Sequence, residues 1–354
     1  MMHWTLVLAP FLLLAALTLC IPPRPPPHSL QYRDIPVSTS GFSFRGICGT
    51  TTPSERLLAE HARLFSSAAH TISGDSTSRV GSVGESGSSL QNAAPIVVET
   101  WFHVVSSTAQ ADVVTDEMLA AQLEALLDAY ANTTITFNLS GITRTINDTW
   151  ARNDDDKGMK RFLRRGTYKT LNIYFQTDLQ MTPYSGPAQP DSHTTTSLVR
   201  AAVTSESSSS SSSAPSVLGF CTLPDPAINS SSPLDDYILD GCNIHALTMP
   251  GGPWPGYSLG GTTIHEVGHW HGLLHTFQGE SCQPDHPGDY IADTPVQASP
   301  TEGCPEGRDS CPDLPGLDPI HNFMDYSTDE CYQGFTVNQA ERMRDMWVRM
   351  REGK

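Results

Sequence analysis

Apolar positions along the chain change period several times, and each change marks an element. From Pro95 onward the alternation is regular. Ile96 to Val105 is β-branched and aromatic and predicts a strand. Met118, Leu119, Leu123, Leu126, Leu127 and Tyr130 fall on one stripe of an amphipathic helix spanning Thr115 to Ala131. Two short strands are expected at Ile135–Leu139 and Ile142–Ile146, followed by a basic piece, Lys160 to Arg165, and a strand at Thr170–Thr177. Val217–Leu223 and Cys242–Thr248 read as two more strands, after which comes a helix dense in histidine. Residues 276–335 show little periodicity and many Pro, Gly and Asp, and Thr336 to Arg351 closes the chain as a helix. The pattern is that of an α+β fold: an upper half of sheet and helices over an irregular, loop-rich lower half.

The part before Pro95 is organised differently. Trp4 to Leu19 is nearly all apolar and is followed by the breaker run Ile21 to Pro27. It is short for a membrane span, which needs about 20 apolar residues. A cleavable signal peptide over residues 1–20 is therefore expected, and with it a secreted, extracellular protein. Residues 21–94 then hold an extended Pro-rich piece, a Cys-Gly-Thr segment, a helix at Ser54 to Ala68, and a Ser/Gly linker over 73–93. The linker has too little apolar surface to fold alone. Residues 95–354 form the main domain, and a second serine tract, Ser205 to Ser213, reads as an inserted surface loop.

Charge and cysteine count narrow the picture. The formal net charge of −17 over 354 residues excludes the basic stripe that nucleic-acid binding requires. Removal of a leader ending at Cys20 leaves Cys48, Cys221, Cys242, Cys282, Cys304, Cys311 and Cys331, an odd number in an exporting chain where cysteines pair. Asn-x-Ser/Thr acceptors at Asn132, Asn138, Asn147 and Asn229 fit the same route and are expected to carry glycans. No membrane contact is expected once the signal is removed.

Candidate chemistry lies in His265-Glu266-Val267-Gly268-His269-Trp270-His271-Gly272-Leu273-Leu274-His275. His265 and His269 project from one helix face one turn apart, so both imidazoles reach a single zinc ion. On an unbroken helix His275 would lie about 15 Å along the axis and about 80° away. It joins the same ion only if the chain turns sharply at Gly272, where positive φ carries no penalty. Glu266, about 100° from the first ligand, sits beside the metal without binding it. That is the place for a general base acting on water. Thr263-x-x-Glu266 also matches a capping box, which would occupy the same carboxylate. His271 points off the ligand face, and His271 and His245 are read as structural histidines.

The spacing H-E-x-x-H-x-x-G-x-x-H, with His321-Asn322-Phe323-Met324-Asp325-Tyr326 about fifty residues later, resembles the metzincins, whose Met-turn sets a methionine under the zinc. The stretches Gly260 to Trp270, Leu274 to Gly279, Gly288 to Pro295 and Gln339 to Met343 resemble the pappalysin-type metzincins, secreted fungal extracellular metalloproteases in particular. The likeness covers roughly residues 95–350, with a shorter match around Cys48.

This resemblance implies a zinc endopeptidase with protein or peptide substrates. It implies His265, His269 and His275 as zinc ligands, Glu266 as base, Met324 in the Met-turn, and Tyr326 near the zinc as an aid to the oxyanion. It also implies the disulfides Cys282–Cys311 and Cys304–Cys331, leaving Cys221 with Cys242. Asp289, Thr294 and the Ala292 carbonyl match a calcium-binding loop. Arg45 to Thr50 matches a pro-segment motif in which the Cys48 thiolate takes the open zinc position, so that the enzyme is made latent. The Val217–Leu223 strand would be the edge that binds an extended substrate. Glu330 is expected in the wall of the S1′ pocket, favouring a basic residue after the scissile bond. The alternative function is a zinc-stabilised binding protein on a protease scaffold; the presence of Glu266 speaks against it. The oligomeric state is not legible.

Overall fold

The computed structural model describes residues 48–73, 90, 93–180 and 217–354. The expected signal peptide, the Pro-rich piece, most of the linker and the Ser205–Ser213 tract lie outside these residues. In chain order the elements are α1 (Glu55–Ser73), β1 (Ile96–Ser106), α2 (Asp116–Tyr130), β2 (Ile135–Ile146), α3 (Asp148–Ala151), α4 (Asp156–Leu163), β3 (Leu171–Gln176), β4 (Gly219–Cys221), α5 (Leu234–Tyr237), β5 (Cys242–His245), α6 (Gly261–Trp270) and α7 (Val337–Met346). A π turn, Trp347–Arg351, extends α7.

The sheet runs β2-β1-β3-β5-β4, with the first four strands parallel and β4 antiparallel at the edge. Side-chain alternation sorts the core. Ile173 and Phe175 join α2 and α6 residues in the main cluster, whereas Tyr174 packs with Met159 and Leu163 of α4 on the other side. All six residues of β3 are buried, as expected for a parallel strand covered on both faces.

Several boundaries differ from the expectation. The two short strands at Ile135–Leu139 and Ile142–Ile146 are one strand, β2, because Gly141 does not turn the chain. It passes beneath the Trp101 ring, where a Cβ would meet the ring at 2.5 Å, and the register with β1 shifts there. The expected strands Val217–Leu223 and Cys242–Thr248 shrink to β4 and β5, the latter running into a 3-10 turn at Ala246–Thr248. The basic piece Lys160 to Arg165 falls largely within α4.

Below the sheet, the chain from His275 to Phe335 has no helix or strand longer than a 3-10 turn. Disulfides join Cys282 to Cys311 and Cys304 to Cys331 there, and Cys221 to Cys242 links β4 to β5. Among the described residues, no helix is long and apolar enough to cross a membrane.

Candidate active site

Every residue of α6 is buried. Its N-cap is Gly260, with φ of 91° and no side chain to accept the free amides. The missing acceptor comes from the lower half: the Asp329 carboxylate accepts from the Leu259 and Gly261 amides at 2.7 and 3.2 Å. Thr263 is inside the helix, so the capping-box alternative for Glu266 does not form.

At its other end α6 closes in a Schellman turn. The Gly272 amide donates to His269 O at 2.8 Å and the Leu273 amide to Gly268 O at 2.9 Å, with Gly272 at φ of 91°. The reversal returns His275 to the helix. His269 Nε2 then lies 3.1 Å from both His265 Nε2 and His275 Nε2. Such separations suit nitrogens that each approach one ion at about 2 Å.

Backbone acceptors set two of the tautomers. His265 Nδ1 donates to Phe323 O at 2.7 Å and His269 Nδ1 to Leu273 O at 2.8 Å, which leaves Nε2 bare on each ring. Burial lowers the basicity of all three histidines, His265 to about 4 and the other two well below the usual value. Neutral imidazoles with inward-facing lone pairs are what a zinc site requires. The Cys48 sulfur completes the group: its Sγ and one nitrogen from each histidine all lie within 4.8 Å of one another.

Glu266 is buried beside this cluster, and burial pushes its carboxyl up to about 7. Met324 is fully buried under α6, where a Cβ on Gly268 would meet its Sδ at 2.5 Å. Tyr326 lies against His265 and His275, with ring centroids 5.7 and 5.0 Å away. The three imidazoles and the thiol form a donor set that could hold a metal ion, with a carboxyl and a phenol beside it.

The M43 peptidase family, described as pregnancy-associated plasma protein-A, matches residues 258–347. An extracellular metalloprotease of Aspergillus oryzae is 52% identical over 311 residues, 88% of this chain and 91% of its own length. One from Aspergillus fumigatus is 54% identical over 313 residues, 88% and 90% of the two chains. The chain belongs to this family of extracellular metalloproteases. Its fold is also that of a Tannerella forsythia promirolysin mutant, with a TM-score of 0.55 at 22% identity over 87% of this chain and 95% of that one.

Around the M43 site the structure adds residues that have no sequence motif. Asn322 and Gln339 exchange side-chain amide hydrogen bonds at 2.8 and 3.0 Å, tying the Met-turn to the capping box that starts α7 at Thr336. Asp325 accepts from Thr301 and Gln297 and holds the Tyr326 amide at 2.8 Å. His271 is buried against Trp347, its Nδ1 donating to Val267 O at 3.0 Å, and His245 accepts from the Leu247 amide at 3.3 Å. Both stand outside the ligand cluster.

Glu330 does not line the pocket. It is exposed, and its neighbour Asp329 turns inward instead, lining a recess with Tyr257, Thr262, His265, Glu266, Tyr326 and Tyr332. The 3-10 turn Asp329–Cys331 faces the two carboxylates in different directions.

In the loop after the zinc-motif helix, Thr294 donates to the Asp289 carboxylate at 2.9 Å and the Ile291 amide to the same group at 3.0 Å. Burial pushes Asp289 up to about 7. Ala292 is exposed. Of the sequon asparagines, Asn132, Asn138 and Asn229 are exposed, while Asn147 caps α3 through its side-chain oxygen.

Proposed function

We propose that the protein is a zinc-dependent endopeptidase exported as a latent precursor, with a signal peptide at 1–20, a pro-segment at 21–94 and a catalytic domain at 95–354. The observation that carries this is the convergence of three neutral imidazoles and one cysteine sulfur beside a buried carboxylate. His265, His269 and His275 would hold the zinc, and Cys48 would occupy the remaining position until the segment is cut away. Bound there, zinc would supply Lewis acidity, polarising the scissile carbonyl and lowering the pKa of the attacking water toward neutral.

The chain's own groups do the rest. Glu266 takes the proton from the attacking water and passes it to the leaving amine nitrogen. The Tyr326 hydroxyl, on the same side of the imidazoles, supplies a donor to the developing oxyanion. An extended substrate would lie along the edge of β4 that residues 48 and 49 cover in the unprocessed chain. Calcium is the proposed ion of the Asp289 loop, with Thr294 and the Ala292 carbonyl, since the donors are all oxygen and the Asp289 carboxyl is buried.

The test is cleavage of casein and of peptides by the processed protein, with and without 1,10-phenanthroline, beside Glu266→Ala. The chelator should abolish activity and zinc should restore it. Glu266→Ala should lower kcat/KM by roughly 10²–10⁴-fold. Equal cleavage by the Glu266→Ala protein would overturn the mechanism.

A further inference from the structure

The pro-segment makes a contact that the thiol lock does not explain. Cys48 bridges Gly219 in parallel fashion, and the Gly49 amide donates to Gly219 O at 2.8 Å, so the segment adds itself to the edge of β4. In an extended chain residues two apart share a face. Thr50 therefore follows Cys48 into the site, whereas Thr51 is exposed. The Thr50 hydroxyl accepts from the Cys221 amide at 3.0 Å and lies 2.9 Å from Glu266 Oε2 and 3.2 Å from Cys221 O. It has one proton to give, and a carboxylate is the stronger acceptor.

We propose that Thr50 is a second anchor of latency, holding the Glu266 carboxylate and the β4 backbone while Cys48 faces the imidazoles. This rests on the reading of residues 21–94 as a pro-segment. The segment then blocks both halves of the chemistry, the open metal position and the base. Each is blocked by a side chain on the same face of one added strand. Thr50 also orients the thiol, since its amide donates to Cys48 Sγ at 3.4 Å. A hydroxyl is required at this position; a methyl of the same size removes the Thr50 hydrogen bonds to Glu266 and to the Cys221 amide.

The experiment uses the full secreted chain, unprocessed, as Thr50→Val, Thr50→Ser, Thr51→Val and Cys48→Ala. Two rates are measured: peptide cleavage before processing, and alkylation of Cys48, the free thiol among the described residues. Thr50→Val should raise each at least tenfold over the native chain, with Thr50→Ser and Thr51→Val close to native. After processing the Thr50 variants and the native chain become the same protein and should share one kcat/KM, which separates a lost lock from a misfolded domain. On a Glu266→Ala background the Thr50→Val effect on alkylation should fall to within threefold. A Thr50→Val chain as silent and as slowly alkylated as native overturns the proposal, as does an undiminished effect on the Glu266→Ala background. A silent Cys48→Ala chain beside an active Thr50→Val chain supports the Thr50 anchor and removes only the thiol lock.

Discussion

Two buried carboxylates line one recess, and only one of them was visible beforehand. Glu266 was legible because a helix turns a local spacing into a direction. Asp329 was not, since its place depends on a loop folding back across about sixty residues. One oxygen of Asp329 is occupied by the amides that begin α6, while the other is buried without a hydrogen-bond partner. A buried, unpartnered carboxylate oxygen favours a cationic guest. Peptide libraries should therefore show Lys or Arg after the scissile bond. Asp329→Asn, which keeps an acceptor for the helix amides, should lower kcat/KM for those peptides about tenfold or more and leave apolar ones unchanged. An apolar preference in the native enzyme would sink this assignment.

At the scale of elements, α6 carries two of the proposed ligands, and its two ends are finished by different means. Its start borrows Asp329, and its end is the Gly272 turn. An alanine at Gly272 would be held at φ of 91° with its Cβ 2.8 Å from Met346 Cγ. Such strain costs about 1–3 kcal/mol, and relief of it would move His275. Gly272→Ala should lower the Tm and release zinc at lower chelator concentration than the native enzyme does. A variant matching the native in both would show that the turn is not what sets the third ligand. The sequence spoke clearly here because glycine at a helix end has few other uses. It misled at Ser140-Gly141, where a glycine made room for an indole instead of a turn.

On the scale of the whole molecule, the π turn after α7 is pinned to α6. Buried Asp240 receives Arg351 at 3.0 Å, Arg164 at 3.3 Å and the Trp270 indole at 3.2 Å. Arg351 also donates to Trp270 O at 3.1 Å and lies 3.6 Å over the Trp270 ring. Removing one member of a buried ionic group destabilises by about 3–5 kcal/mol. Calorimetry on Arg351→Met should show a loss of that order, and an unchanged Tm would deny the pin its role.

The helix α1 packs through Leu57 and Leu64 against Leu223, Leu274, Met346 and Met350, and buries His61. His61 is fully buried and accepts from Arg342 at 2.6 Å; Asp289 and Asp345 lie near that guanidinium, and Glu60 pairs with Arg63 on the helix itself. Burial, then Arg342, lowers His61 to about 3 from 6.5. The undocked or unfolded state thus binds the proton more readily, and the docked state loses stability as pH falls from about 6.5 toward 3. Limited proteolysis of the unprocessed chain should accelerate on acidification. His61→Gln, which still accepts from Arg342, should flatten that dependence; a profile that stays as steep would place the acid sensitivity elsewhere.

Read alone, the sequence determined what local geometry determines: the helix bearing His265, Glu266 and His269, the turn at Gly272, the stripe of α2, the strand of β1 and the odd cysteine at position 48. These depend on periodicity and on residue types with few structural alternatives. The tertiary structure decided what depends on closure between distant segments. It set Asp329 and not Glu330 against the pocket, Thr50 on Glu266, Arg351 over Trp270, and His61 against Arg342. Those contacts join residues far apart in the chain, and no spacing encodes them because the loops between them have no period to read.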